Sequence, residues 1–285
     1  MNVTKISIVI VSFALILLLT SSAYAITGNY QSDTARTCVG LVVFYTTDFG
    51  GNIIPVEACS CVLISPRIVL TAAHAMSTQN VVVCFDSGPI TWVVQNNQII
   101  LQGVTSYYDG TSYPNPDFAA NVQGKNGVPF AFYRDVGIIV LNEPVPTSVV
   151  SQYGQLPSPG LVDTLPKQSD VTLVGYGVQE QLTPKKGGQS TWTGLLMRNS
   201  AQSRLMPSNF AWSDEFVRCS ANPGNGRGGI AFGDSGGPVF LGQTYTILAL
   251  HSYVVNQNCA GVSYHSRIDV PTVLDWIVQE VNVHG

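Results

Sequence analysis

Charge is scarce in this chain. Asp, Glu, Lys and Arg together supply 11% of its 285 residues. Disordered chains, coiled coils and polybasic nucleic-acid binders all need far more, so those classes are excluded. Thirteen Lys and Arg stand against 17 Asp and Glu, a net charge of −4, and the basic residues cluster only at Lys185-Lys186. No nucleic-acid partner is expected from that balance. Cys-x-x-Cys spacing is also missing, which argues against a zinc cluster. No metal and no cofactor are expected. No sequence repeat is visible. Beyond residue 25 no apolar run is long enough to span a bilayer, so no membrane partner is expected once the first segment is removed.

What is present begins with an address. Lys5 precedes an almost wholly apolar run, Ile6 to Thr20, followed by Ser-Ser-Ala-Tyr-Ala with Ala23 and Ala25 at the small-residue positions. That order predicts a secretory signal over residues 1–25, and a secreted, extracellular chain starting at Ile26. The sole N-x-S/T sequon, Asn2-Val3-Thr4, lies in the segment to be removed, so no N-linked glycan is expected. Six cysteines, Cys38, Cys59, Cys61, Cys84, Cys219 and Cys259, suit an oxidising compartment and read as three disulfides.

Short apolar runs bounded by Gly, Pro, Asn or Ser dominate the rest and predict strands. They include Cys59–Ile64, Ile68–Ala72, Val81–Phe85, Val136–Leu141, Val171–Val174, Pro238–Leu241 and Thr244–Leu250. Residues 103–132 and 181–193 are rich in Gly, Asn and Pro and read as loops. After Pro271, Val273, Leu274, Ile277, Val278 and Val281 recur at helical spacing. The expected architecture is all-β: two six-stranded antiparallel barrels side by side, with a C-terminal helix. The first barrel spans about 38–142, a Pro-rich connector 143–166, the second barrel 167–268 and the helix 270–283 within one unit, 26–285.

Chemistry concentrates in three separated segments. They are Thr71-Ala72-Ala73-His74 after a strand, Arg134-Asp135 before one, and Gly233-Asp234-Ser235-Gly236-Gly237-Pro238. A serine hydroxyl needs a neutral imidazole as general base, and that imidazole needs a carboxylate to fix its tautomer. Asp109 and Asp117 are other acids that could orient His74. His265 and His284 read as packing or solvent residues.

In residue type and order, these segments resemble the chymotrypsin-like (trypsin-fold) serine peptidases. Gly175-Tyr176-Gly177 and the terminal Asp275-Trp276-Ile277 extend the likeness over nearly all of residues 26–283. The resemblance implies a peptidase with Ser235 as nucleophile, His74 as general acid and base, and Asp135 orienting it. It implies an oxyanion hole from the Gly233 and Ser235 amides. Protein or peptide substrates and protein inhibitors are the partners to expect, and the chain is expected to be a monomer. A catalytically silent homologue acting as a binding module is the alternative.

Two family cysteines are replaced, by Ala75 and Ala231. Cys219 and Cys259 flank the segments that carry Ser235 and the pocket wall, and are expected to pair. Cys61 is expected to pair with Cys84 or Cys38, since Cys59 and Cys61 face the same side of one strand.

By resemblance, the primary pocket has Gly229 at its base and Ser252-Tyr253-Val254 as a wall. No acid at the base disfavours Arg or Lys before the cut. Val254 suggests a small aliphatic side chain there, whereas His251 beside Ser252 resembles enzymes that take an acidic one. Ile26-Thr27-Gly28-Asn29 resembles the family's freed N-terminus, whose ammonium would pair with Asp234.

Overall fold

The computed structural model describes residues 26–121, 132–182, 191–206, 215–222 and 225–285. The expected signal segment lies outside these residues, as do parts of both expected loops.

Branched residues fill the first half. Val39–Thr47 (VGLVVFYTT) and Ile53–Leu63 form the longest antiparallel pair. Around them a closed barrel runs Gly137–Leu141, Ile68–Thr71, Ile53–Leu63, Val39–Thr47, Asn80–Cys84 and Tyr107–Pro114. Leu41, Val43, Leu70, Val83 and Ile139 are fully buried in the core on both faces of its strands, which apolar contact alone can hold. Tyr107–Pro114 corrects the loop reading of 103–132: Tyr107, Thr111 and Tyr113 are strand formers, and this strand closes the barrel against Gly137–Leu141. The second loop reading, 181–193, is likewise corrected at its two ends, where Glu180–Leu182 pairs with Thr191–Thr193.

The second half is a curled sheet of seven strands. Six of them, Asp170–Gly175, Asn199–Arg204, Phe216–Ala221, Pro238–Leu241, Ile247–Val254 and Gly261–Arg267, follow the expected second barrel. The bridge Leu205↔Cys219 and the bond from the Met206 amide to the Arg218 carbonyl bring the two ends together. The seventh, Tyr30–Ser32, adds to Asn199–Arg204 from the N-terminal side. The connector contains a short helix, Leu161–Thr164. The C-terminal helix, Pro271–His284, opens on a proline and buries Val273 and Ile277 in the core shared with the barrel. Among the described residues no helix is long and apolar enough to cross a membrane.

The cysteine expectation is corrected. All six are buried thiols, and no sulfur–sulfur bond joins them. Register supplies the reason. Cys61 pairs with Gly40 and Cys84 with Leu41 on opposite sides of Val39–Thr47. Two strand spacings come to roughly 9–10 Å, beyond the ~7 Å a disulfide tolerates. Cys38 is a diagonal neighbour of Cys61, about 7–8 Å away by the same geometry. Cys219 faces Ser263, four residues along from Cys259. Cys59 meets the Thr71 hydroxyl at 3.6 Å instead of another sulfur.

Candidate active site

Two neighbouring strand ends position the first two groups. Gly137 pairs with Thr71, so the chains just beyond this pair, 72–75 and 134–136, lie side by side. His74 sits in a 3₁₀ turn, Ala73–Ala75, that lifts its ring off the barrel. Its backbone N–H donates to Asp135 Oδ1 at 2.8 Å, and its Nδ1 lies 2.7 Å from Oδ2. Asp135 is fully buried. Two hydroxyls from the other half also reach it. Ser252 Oγ donates to Oδ2 at 2.5 Å, and Ser266 Oγ accepts the Asp135 amide at 3.1 Å. Asp109 lies on the strand Tyr107–Pro114 and Asp117 pairs with Arg134, so neither of the alternative acids orients His74.

Ser235 Oγ lies 2.9 Å from His74 Nε2. The loop carrying it is folded around the buried Asp234 carboxylate. Oδ1 accepts the Gly177 amide and Oδ2 the Ala231 amide, each at 2.8 Å. A Cβ on Gly177 would stand 2.6 Å from the Asp234 Cγ, so the Gly-Tyr-Gly turn is the residue choice that lets this carboxylate in. Gly233 has φ +92°, a left-handed conformation that suits glycine. Its carbonyl accepts from Ser60 Oγ at 3.1 Å, while the Ser60 amide donates to the Ser235 carbonyl at 2.9 Å. Among the described residues the Gly233 and Ser235 amides have no acceptor.

The electrostatics suit an imidazole base. Burial pulls the His74 pKa down, but the hydrogen bond and charge of Asp135, with the charge of Glu57, outweigh it, and the net shift is upward. Burial lifts Asp234 to about 7 against its two backbone donors. Among the described residues no Lys, Arg or His side chain pairs with it.

The expected pocket residues surround this loop. Gly229 is buried, pairs with Thr27, and a Cβ there would stand 2.3 Å from Ala221 Cβ. His251 is fully buried. Its Nε2 lies 3.2 Å from the Val174 carbonyl and its Nδ1 3.0 Å from His265 Nδ1; His265 Nε2 meets Ser263 Oγ at 2.8 Å. Burial, opposed by the Val174 bond, takes His251 down to about 3, and burial with the His251 charge lowers His265 well below its usual value. His265 is therefore a packing residue, as expected; His284 meets Glu280 and stacks on Tyr113. Ile26 is fully buried with Val171, Leu173 and Ile230. Tyr253 stacks on Tyr264 at 4.7 Å.

Four contributors escaped the sequence reading. Ser60 and Ser266 bind loop and acid across the two halves, and nothing in their local sequence marks them. Phe132 stacks flat on the His74 ring, 4.4 Å away and 5° from parallel. Glu57 acts on His74 through its charge.

A buried carboxylate, an imidazole and a hydroxyl in line, between a closed barrel and a curled sheet, define a serine-hydrolase class of site on a trypsin-type fold. The Trypsin family model matches residues 42–277, and the chain belongs to that family. Solved structures agree on the fold. HL collagenase is 17% identical, with a TM-score of 0.61, over 90% of this chain and 97% of that one. Human heparin binding protein is 17% identical, with a TM-score of 0.54, over 90% and 98%. The scabies mite inactivated protease paralogue S-I1 is 16% identical, with a TM-score of 0.54, over 90% and 99%. A search of curated proteins finds no match.

Proposed function

We propose that the chain is a secreted serine endopeptidase, and the observation that carries this reading is the hydrogen-bonded line Ser235–His74–Asp135 at 2.9 and 2.7 Å. Ser235 Oγ attacks the scissile carbonyl while its proton passes to His74 Nε2. The oxyanion forms beside the Gly233 and Ser235 amides, and one such donor is typically worth ~2.7–4 kcal/mol of barrier. His74 then protonates the leaving amine, the acyl-enzyme remains on Ser235, and water reverses the steps. The inactivated paralogue among the structural neighbours keeps a silent binding module in view, but the intact line of groups here favours an enzyme. Labelling by a fluorophosphonate tests the choice: an intact-mass shift in wild type and none in Ser235→Ala is expected. No label on the wild type would leave the binding-module reading.

A small aliphatic side chain before the cut fits best. The Gly229 base offers no charge, and Val254 stands where, by resemblance, a glycine leaves larger pockets open. His251 gives the acidic preference little support, because both its nitrogens are engaged inside the protein. A P1 peptide library tests this, and a dominant Glu preference would reverse it.

Activation is read at Asp234. Removal of residues 1–25 would free the Ile26 ammonium, and Asp234 is a buried carboxylate for which such a cation would be the counter-charge. Pairing there would hold the Gly233 loop in place.

A further inference from the structure

The nucleophile loop is held between two strands. On one flank the Gly236 amide donates to the His251 carbonyl at 2.8 Å, next to Ser252–Val254. On the other, the Ser60 amide donates to the Ser235 carbonyl at 2.9 Å, from the strand Ile53–Leu63. If the first flank receives the acyl half of a substrate, the second borders the leaving half. Glu57 lies on that second strand, exposed. It shares a face with Cys59, whose sulfur touches Thr71, the strand end that leads to His74. Asp135 and Glu57 are the two acids whose charge acts on His74. Asp135 is sealed inside, so only Glu57 can meet a substrate side chain. Around the imidazole, the contrasting surface is aromatic and neutral: Phe132 flat on the ring and Tyr253 edge-on to Phe132.

We propose that Glu57 forms an acidic subsite on the leaving-group side of the cleft, selecting peptides with Lys or Arg just after the scissile bond. This rests on the peptidase reading and its placement of the acyl pocket. A bound cationic side chain would shield Glu57 from water and strengthen the pair beyond an ordinary surface contact.

The experiment uses peptides identical up to the cut, with Lys, Ala or Glu at the first or second position after it. Wild type, Glu57→Gln and Glu57→Lys are compared, each checked for unchanged thermal unfolding. Wild type is expected to favour Lys over Glu by about tenfold in kcat/KM at low salt, an effect compressed at high salt. The ratio should fall toward one in Glu57→Gln and invert in Glu57→Lys. The lower pH midpoint on the Ala peptide should also move down in Glu57→Gln, because only Asp135 then raises His74. A merely structural Glu57 would move neither the ratio nor the midpoint. A wild-type ratio near one, or a ratio unchanged in Glu57→Gln, overturns the subsite alone. A wild type that cleaves no peptide and takes no fluorophosphonate overturns the peptidase reading, and the subsite with it.

Discussion

Apart from Asp135 and a few small polar side chains such as Ser60, Thr71 and Ser112, the barrel half hides apolar residues and thiols, whereas the sheet half hides Asp234, His251, His265, Arg198, Arg267 and Asp269. Both deliver groups to the candidate site, but they position them by different means. In the barrel, His74 and Asp135 stand where they do because two paired strands end together. In the sheet, the Ser235 loop is shaped by polar contacts on a buried carboxylate. Arg198 joins the halves. It is almost fully buried and donates to the carbonyls of Asp33, Val39 and Phe85 and approaches the Tyr176 hydroxyl at 3.2 Å. Apolar packing tolerates volume-conserving change. A buried polar group that loses its partner does not, since the group left behind stays desolvated. The halves should therefore differ in what breaks them.

The largest expected effect ignores that difference. Ser235→Ala from the sheet and His74→Ala from the barrel should each lower kcat/KM by roughly 10³–10⁶, and the double variant should lose little more, because the groups act as a unit. Melting temperatures should hardly change. Activity of wild type should rise with pH through a midpoint above 6.5, since the His74 pKa is raised and only the neutral ring accepts the proton. Steady-state kinetics with a peptide substrate checks both. Single variants that retain a tenth of the activity would show that the two halves do not meet in one reaction.

Next comes the sheet's carboxylate. A protein beginning at Ile26 should be about 10²–10³ more active than one with an extra uncleaved residue, given ~3–5 kcal/mol for a broken buried pair. The pH dependence has a definite sign. Asp234 is lifted from 3.8 to about 7 by burial, so the extended form binds more protons folded than unfolded between those values. Its stability should thus fall as pH rises from about 4 to about 7, by on the order of 4 kcal/mol. The Ile26 form should lose most of that slope. Denaturant titrations across the window compare them, and identical slopes would remove Ile26 from the activation reading.

One substitution in each core sharpens the contrast further. Leu70→Ala leaves a cavity in the barrel and should cost about 2–5 kcal/mol. His265→Leu keeps bulk in the sheet but strips partners from His251 and Ser263, for about 1–3 kcal/mol. Leu70→Met should cost under about 1.5 kcal/mol, while no apolar residue rescues His265. Equal rescue at both positions would erase the distinction.

The same division explains what the sequence disclosed. Strands such as Ile68–Thr71 and Gly137–Leu141 are legible because burial on both faces demands continuous apolar residues. His74, Asp135 and Ser235 were legible because their local motifs are dictated by strand ends and by the Asp234 loop. Tyr107–Pro114 was hidden because its glycine, serine and asparagine neighbours compose like a loop; only pairing on both sides makes it a strand. Ser60, Ser266 and the His251–His265 contact are long-range. Each is an ordinary residue until the chain brings its partner from 14 positions away for the two histidines, and from far more for the two serines. The cysteines misled because an even count speaks of compartment and not of distance; only register shows that Cys61 and Cys84 are separated by a whole strand.

The smallest predicted effect tests the sheet at a buried polar atom that has no partner. Tyr253 lies among Phe132, Phe216 and Tyr264, edge-on to the first two and stacked on the third. Its hydroxyl is buried and, among the described residues, has no hydrogen-bond partner. Burial, with the neighbouring Tyr264 phenol, pushes its pKa well up, so it stays protonated at any ordinary pH. At His265, removing a buried polar group strands its partners His251 and Ser263. Here there is no partner to strand, and the atom itself carries the desolvation cost. Tyr253→Phe keeps the ring and all three aromatic contacts and deletes only that atom. It should therefore leave stability within about 0.5 kcal/mol of wild type or raise it slightly, the reverse of His265→Leu. A loss above about 1 kcal/mol in urea unfolding would mean the hydroxyl is satisfied by ordered water, and that the sheet's interior has no unpaired polar group at this place.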